Sequence, residues 1–260
     1  MANPLVVTNI EANVATITIQ RPDALNALNA AVLAQLEAAI LEAGANETVR
    51  VLMLTGRGER AFIAGADVVE FVGASPTDAL AITERTKRVV DSVAQCRKPV
   101  LAVINGYCFG AGFELALACD LRIASTKAQM GLPEIKLGIM PGGGGTARLT
   151  KLAGSSIART LAMTGDPISA HRAFELGLVA SVHDPDDLMN AAVELSARLA
   201  LLPPIALTLL KSTLNIAVDA DTETACQAEF KSFAICFSTA DKEEGVKAFL
   251  EKRKPIFMGN

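Results

Sequence analysis

Between Val14 and Gln20 apolar and polar positions alternate, and β-branched residues dominate. That pattern predicts a half-buried strand, ended by Arg21-Pro22-Asp23. From Asn29 onward, Leu33, Leu36 and Ile40 recur at helical spacing, with Gly44 as the expected stop. Val49 to Thr55 is almost continuously apolar, which predicts a buried strand before the turn Gly56-Arg57-Gly58. A helix is expected over 78–95, a second buried strand over 99–105, and a Gly-rich turn leading into a helix over 111–119. Leu121 to Ser125 reads as the next strand. Strands and helices alternating at this spacing imply an α/β architecture with buried sheets.

Beyond residue 185 the strand signals stop. The stretches 185–200, 203–217, 222–238 and 240–252 read as helices. The chain thus divides into an α/β core, residues 1–185, and a helical region, residues 186–260. The many Leu, Ile and Phe positions of that region suit packing on the core or on another subunit. No low-complexity segment and no convincing internal repeat is visible.

Composition narrows the chemistry. The hydrophobic share is 51%, but aromatics make up only 4%. There are 44 Ala and 19 Gly, against one Tyr and no Trp. So much apolar content excludes a disordered chain. The lack of aromatic platforms argues against single-strand nucleic-acid binding. The net charge is −4 and no basic tract occurs, so an anionic ligand must be held by local groups. The five cysteines form no CxxC pair, and their odd number fits reduced thiols. His171 and His183 are the only histidines, too few for a His-rich metal site. Met1 to Asn9 lacks a leader pattern, and the apolar stretch 200–210 is broken by Pro203-Pro204. These features set the expectation of a soluble cytoplasmic protein without membrane or nucleic-acid partners.

Gly56-Arg-Gly-Glu-Arg-Ala61 fits a GxGxxA dinucleotide pattern after a strand, but no helix is expected after it and no acidic residue is well placed downstream. It reads as an ordinary turn. Neither a phosphate-binding GxxxxGK[ST] loop nor a GxSxG elbow occurs.

Three other segments carry more. They are Ala61-Phe-Ile-Ala-Gly-Ala-Asp67, Asn105-Gly-Tyr-Cys-Phe-Gly-Ala-Gly-Phe-Glu114 with its continuation to Asp120, and Gly131-Leu-Pro-Glu134 running to Gly145. The first two read as small-residue turns before helices, where exposed backbone N–H groups favour negative charge. Facing each other, two such turns make an oxyanion hole. Glu114 and Glu134 lie among apolar or Gly-rich neighbours. A carboxyl group there is either structurally paired or raised in pKa for acid/base work. The residues alone leave both readings open.

These segments resemble the signature of the crotonase superfamily, the enoyl-CoA hydratase/isomerase family. The similarity runs from Arg21-Pro-Asp-Ala-Leu-Asn-Ala-Leu28 to Phe249-Leu-Glu-Lys-Arg-Lys-Pro255, essentially the whole chain. The resemblance implies a crotonase (ClpP/crotonase-like) fold, a spiral of repeated ββα units with a C-terminal helical trimerisation region. It implies a trans-2-enoyl-CoA hydratase that yields 3-hydroxyacyl-CoA, assembled as a homohexamer from two trimers. No metal or redox cofactor is implied, because coenzyme A is part of the substrate. The implied catalytic residues are Glu114, as base toward water, and Glu134, as proton donor to the α-carbon. Ala66 and Ala111 would supply the oxyanion-hole N–H groups, and Gly142 would place the water. Asp23, Ala24, Leu25, Ala27, Ala64, Gly65, Ala66, Asp67 and Val68 would line the CoA path. Lys252 and Lys254 would reach its phosphates, in one subunit or across two, and Phe233 and Phe237 would line the acyl pocket. Many hydratases have Gly where this chain has Ala111, and Phe113 precedes the glutamate here, so acyl preference stays open. Rival readings are a Δ3,Δ2-enoyl-CoA isomerase or another acyl-CoA enzyme of the family, which need not use both glutamates. A more distant rival is a non-catalytic RNA-binding homologue, disfavoured by the acidic charge.

Overall fold

The structure, a computed structural model, describes residues 4–260; residues 1–3 of the N-terminal stretch lie outside it. The chain opens with β1 (Val6–Glu11) and β2 (Val14–Ile19), an antiparallel pair, followed by α1 (Ala30–Ala45). Three turns of one pattern follow. The first is β3 (Val51–Gly56), β4 (Ala61–Ile63) and α2 (Pro76–Gln95). The second is β5 (Val100–Ile104), β6 (Tyr107–Phe109) and α3 (Ala111–Ala118). The third is β7 (Leu121–Ser125), β8 (Gln129–Gly131) and α4 (Gly145–Ala153). Then come α5 (Ser155–Thr164), β9 (Ile168–Ser169), α6 (Ala170–Glu175) and β10 (Ser181–His183). The chain ends with α7 (Pro185–Ala200), α8 (Pro204–Asp219), α9 (Thr222–Cys236) and α10 (Ala240–Leu250).

The first strand of each turn enters a six-stranded sheet ordered β1-β2-β3-β5-β7-β10, and the second enters a four-stranded sheet ordered β4-β6-β8-β9. All pairings are parallel except those of β1 and β9. This is the ββα spiral that the resemblance implies. The sequence hides the repeat because β4, β6 and β8 are three residues each, and helices α2, α3 and α4 have 20, 8 and 9 residues.

Two local expectations are corrected. Gly44 does not stop α1, which runs through it to Ala45. Lys98 Nζ instead donates to the Ala43 and Asn46 carbonyls, satisfying acceptors at the helix end. A Cβ on Gly44 would stand 3.6 Å from Cys96 Sγ, so the residue sits in contact with the chain after α2. Helix α2 starts at Pro76, not Asp78, because Ser75 and Asp78 form a capping box.

One apolar core lies among the sheets and α1 to α3, with Leu36, Ile40, Phe62 and Phe113 fully buried. A second lies on the other face of the large sheet, where Val51, Met53, Leu101, Val103 and Ile123 meet Leu188, Ala192 and Ala200 of α7. The helical region therefore begins where the strand signals end, yet its first helix is a layer of the core. Helix α8 is tied down by Lys211, which donates to Asp120 Oδ2 (2.8 Å) and to the Lys98 carbonyl (3.1 Å). Helix α9 buries no residue.

Candidate active site

The loops after β4, β6 and β8 meet at one edge of the small sheet. After β4, Ala64 to Asp67 pairs with the turn before α1. Ala64 N donates to Leu25 O (3.1 Å), Leu28 N to Gly65 O (2.9 Å) and Asp67 N to Leu28 O (2.9 Å). Leu28 and Ala66 thus form a parallel bridge in which the neighbours of Ala66 make the bonds. The N–H of Ala66 itself is left without an acceptor among the described residues, and so is the N–H of Ala111.

Asp23 and Ala24 lie in a 3-10 turn, and Leu25 and Asn26 adopt left-handed backbone. Asn26 is fully buried. Its Oδ1 accepts from Arg21 N, and its Nδ2 donates to the Arg57 and Ala61 carbonyls. It therefore locks the Asp23–Ala27 turn onto β4. The expectation of a helix after the first segment is corrected: Ala61–Ile63 is a strand, and only a four-residue 3-10 turn, Val68–Phe71, follows. Gly73 and the Ser75 cap delay the helix to Pro76. A helix dipole thus stands behind Ala111 but not behind Ala66. The GxGxxA stretch accordingly opens no helix: Gly56 ends β3, Ala61 starts β4, and residues 57–60 form the turn between them.

Gly110, at φ +51 and ψ −124, caps α3 in backbone space open to glycine. A Cβ there would stand 3.0 Å from Glu134 Oε1 and 3.8 Å from Gly65 Cα. The missing side chain lets all three loops close on one another. Glu114, in the first turn of α3, is 2% exposed. Its Oε1 accepts from the N–H groups of Gly143 and Gly145, each at 2.8 Å. Burial pushes its pKa up; those two amides and the Arg148 charge oppose the shift. Glu134 sits in the 3-10 turn Pro133–Leu137. Burial, with a smaller contribution from the Glu114 charge, raises its pKa to about 7, while its own backbone N–H opposes. Its Oε2 is buried without a partner.

One carboxyl therefore holds amide donors suited to its ionised form, and the other stays protonated near neutrality. Both stand at the N-terminal end of α3, beside two free N–H groups. A model of the enoyl-CoA hydratase/isomerase family matches residues 9–260. The chain belongs to the enoyl-CoA hydratase/isomerase family. A short-chain-enoyl-CoA hydratase of Clostridium acetobutylicum is 40% identical over 249 residues, 96% of this chain and 95% of that protein. A crotonyl-CoA hydratase of Syntrophomonas wolfei is 37% identical, covering 99% of both. The crystal structure of an enoyl-CoA hydratase from Bacillus anthracis superposes with a TM-score of 0.96 at 36% identity, covering 98% of this chain and 100% of that one.

In this member of the enoyl-CoA hydratase/isomerase family the predicted stretches Asp23–Ala27 and Ala64–Val68 pair with each other, and Gly110 brings the second of them next to Glu134. Gly142 is exposed and makes no bond to Glu114; its neighbours Gly143 and Gly145 do. Phe233 on α9 and Phe237, which caps its C-terminus, are 66% and 57% exposed, with ring centroids 5.0 Å apart. Lys252 and Lys254 are exposed after α10. The cavity of about 870 Å³ that borders Gly142–Gly144 is lined by Arg148 and Asp91, and by none of these four residues nor either glutamate. Among the described residues neither lysine bonds to Glu114 or Glu134, and the Glu114 carboxyl takes its bonds from Gly143 and Gly145 alone. Sequence reasoning missed Asn26, Gly143 and Gly145 as site residues. Asn26 left a signal, a lone amide between Leu25 and Ala27; the glycines, lying in a run of four, left none that singled them out.

Proposed function

We propose that this protein is a trans-2-enoyl-CoA hydratase, adding water across the double bond to give 3-hydroxyacyl-CoA. The thioester oxygen sits between the N–H groups of Ala66 and Ala111. Glu114 takes a proton from water as its oxygen bonds to C3, and the π electrons move onto the thioester oxygen. The resulting enolate character is stabilised by the two N–H groups and the α3 terminus. Collapse of the enolate takes the proton of Glu134 at C2. The carbon skeleton gains one water and no electrons, so the chemistry calls for no redox cofactor. The observation that carries the reading is the pairing at one site of an amide-held carboxylate, Glu114, with a carboxyl that keeps its proton to about pH 7, Glu134.

Asp23 to Ala27 and Ala64 to Val68 line the CoA path in this reading, and Gly142 borders the water. Lys252, Lys254, Phe233 and Phe237 act from a neighbouring subunit of a homohexamer in which α8 to α10 make the trimer contacts. The exposed Phe230, Phe233, Phe249 and Leu250 support such burial. Sedimentation as a monomer would contradict it. A cytoplasmic site suits the five free thiols, and no single helix among the described residues is long and apolar enough to cross a membrane.

The test is loss of the conjugated thioester absorbance on incubation with crotonyl-CoA. Glu114→Gln and Glu134→Gln should each lose at least about 10²-fold in rate. Turnover of 3-enoyl-CoA without hydration of 2-enoyl-CoA would overturn the assignment in favour of an isomerase.

A further inference from the structure

We propose that Arg148, backed by Asp91, is a positioning residue for Glu114: it fixes the glycine loop whose amides hold the carboxylate. The inference rests on the reading of Glu114 as the base. Residues 142–145 are four consecutive glycines, which have no side chains to stiffen them and lose the most freedom on ordering. Such a run presents two amides to one oxygen only if something outside it holds it.

The structure supplies a wall on either side. On α2, Thr83 and Thr86 stand so close that a Cβ on Gly142 or Gly143 would meet their methyl groups at 3.1 Å. On the other side Arg148 folds back from α4. Its backbone N–H donates to Gly144 O (3.0 Å), and its Nη1 donates to Gly143 O (3.2 Å). A Cβ on Gly144 would fall 2.2 Å from the same Nη1, so the guanidinium lies against the bare backbone. Arg148 Nη2 reaches Asp91 Oδ1 on α2 at 3.5 Å, and the second Asp91 oxygen pairs with Lys87. The loop is thereby clasped between α2 and a side chain that is itself anchored to α2. Gly143 sits at the centre, its carbonyl accepting from Arg148 while its N–H donates to Glu114.

The clasp also carries charge. Glu114 faces Arg148 from α4 and Glu134 from its 3-10 turn, and Arg148 in turn faces Asp91 and Lys87 from α2. The guanidinium favours the ionised form of Glu114, which the base requires. Arg148 and Asp91 are both partly exposed, so replacing them leaves the apolar core intact.

Arg148→Met, Arg148→Lys and Asp91→Asn should be assayed with crotonyl-CoA across pH, with thermal unfolding measured alongside. Arg148→Met is expected to lose about 10- to 100-fold in kcat with little change in KM, as expected for a displaced catalytic group. The acidic limb of its kcat/KM profile should move to higher pH. Lys should return the limb toward its wild-type position while recovering only part of kcat, because it lacks the planar fork. Asp91→Asn should lower kcat without raising the limb. Folded Arg148→Met with the wild-type kcat and profile would overturn the proposal. So would a loss of kcat with an unmoved limb and no rescue by Lys. If Met prevents folding, wild-type profiles in both Lys and Asn variants overturn it. Wild-type protein inactive on crotonyl-CoA would instead strike the functional reading.

Discussion

Arg21 Nη1 lies 2.7 Å from Asp67 Oδ2 and also donates to Ala27 O at 3.1 Å. One guanidinium thus fastens the turn before α1 to the loop that carries Ala66. The pair is partly exposed, so its contribution to stability should be small, about 1 kcal/mol or less. Its effect on the site should be larger. Asp67→Ala is expected to lower kcat/KM for crotonyl-CoA by about 10-fold through a misplaced loop, with little change in Tm. Kinetics and calorimetry on the same preparation separate the two.

The two glutamates set opposite limbs of the pH profile. Glu134 must be protonated to deliver its proton, and its pKa lies at about 7. Activity should therefore fall as pH rises past neutrality. Glu114 must be ionised, and its pKa is raised from the usual carboxylate range. Activity should also fall on the acid side, sooner than for an ordinary glutamate. A bell-shaped kcat/KM profile with its alkaline limb near 7 is the expected result. A profile flat from pH 6 to 9 would argue against Glu134 as the acid.

Burial of Glu134 also has a thermodynamic sign. Its folded pKa, about 7, stands above the unfolded value of 4.5. Between those pH values the folded chain holds a proton that the unfolded chain has released. The associated stability is complete below about 4.5 and is lost as pH rises through 7. Glu134→Gln removes this loss. The Tm of the variant relative to wild type should therefore increase from pH 5 to pH 8, even though the variant is a poorer enzyme. A Tm difference independent of pH would show that Glu134 is not buried as described.

Gly110 admits no side chain without disturbing Glu134. A Cβ at that position would press on Glu134 Oε1 at 3.0 Å, in a backbone conformation that alanine resists. Gly110→Ala should fold and lose about 10²-fold in kcat, the cost expected of a displacement near 1 Å. Retained activity would mean that Glu134 can do its work from another position.

Much of the architecture could be read in the chain because its signals are strong. β2, β3, β5 and β7 are buried, β-branched strands, and α1 carries Leu33, Leu36 and Ile40 at helical spacing. The elements that went unread are short or irregular. β4, β6 and β8 span three residues each and pair only across the fold, so no local period marks them. β1 is largely exposed, with only Val6 packed against the core and Ile10 facing outward. The helices between Gly145 and Glu175 were masked by glycine and by mixed polarity. In the site, Glu114 and Glu134 stood out as carboxyls among small apolar neighbours. The partners of Glu114 did not, since a backbone N–H leaves no trace in residue type. Arg148 and Asp91 are separated by more than fifty positions and meet only in three dimensions.

The small sheet has a bearing on how this site tolerates change. Ala66 follows β4 and Ala111 follows β6, and these two strands are parallel neighbours. Adjacent strands stand about 4.8 Å apart, while an oxygen shared by two N–H donors needs about 2.9 Å to each. Two donors one strand apart can therefore converge on a single oxygen once their loops are held, as Arg21 holds the first and Gly110 lets the second approach. In the proposed mechanism the strand spacing sets the span between the two loops, and the loop contacts of Arg21 and Gly110 set where each donor stands within it. Substitutions that spare these loop contacts can reshape the acyl end of the substrate site while the thioester end keeps its dimensions.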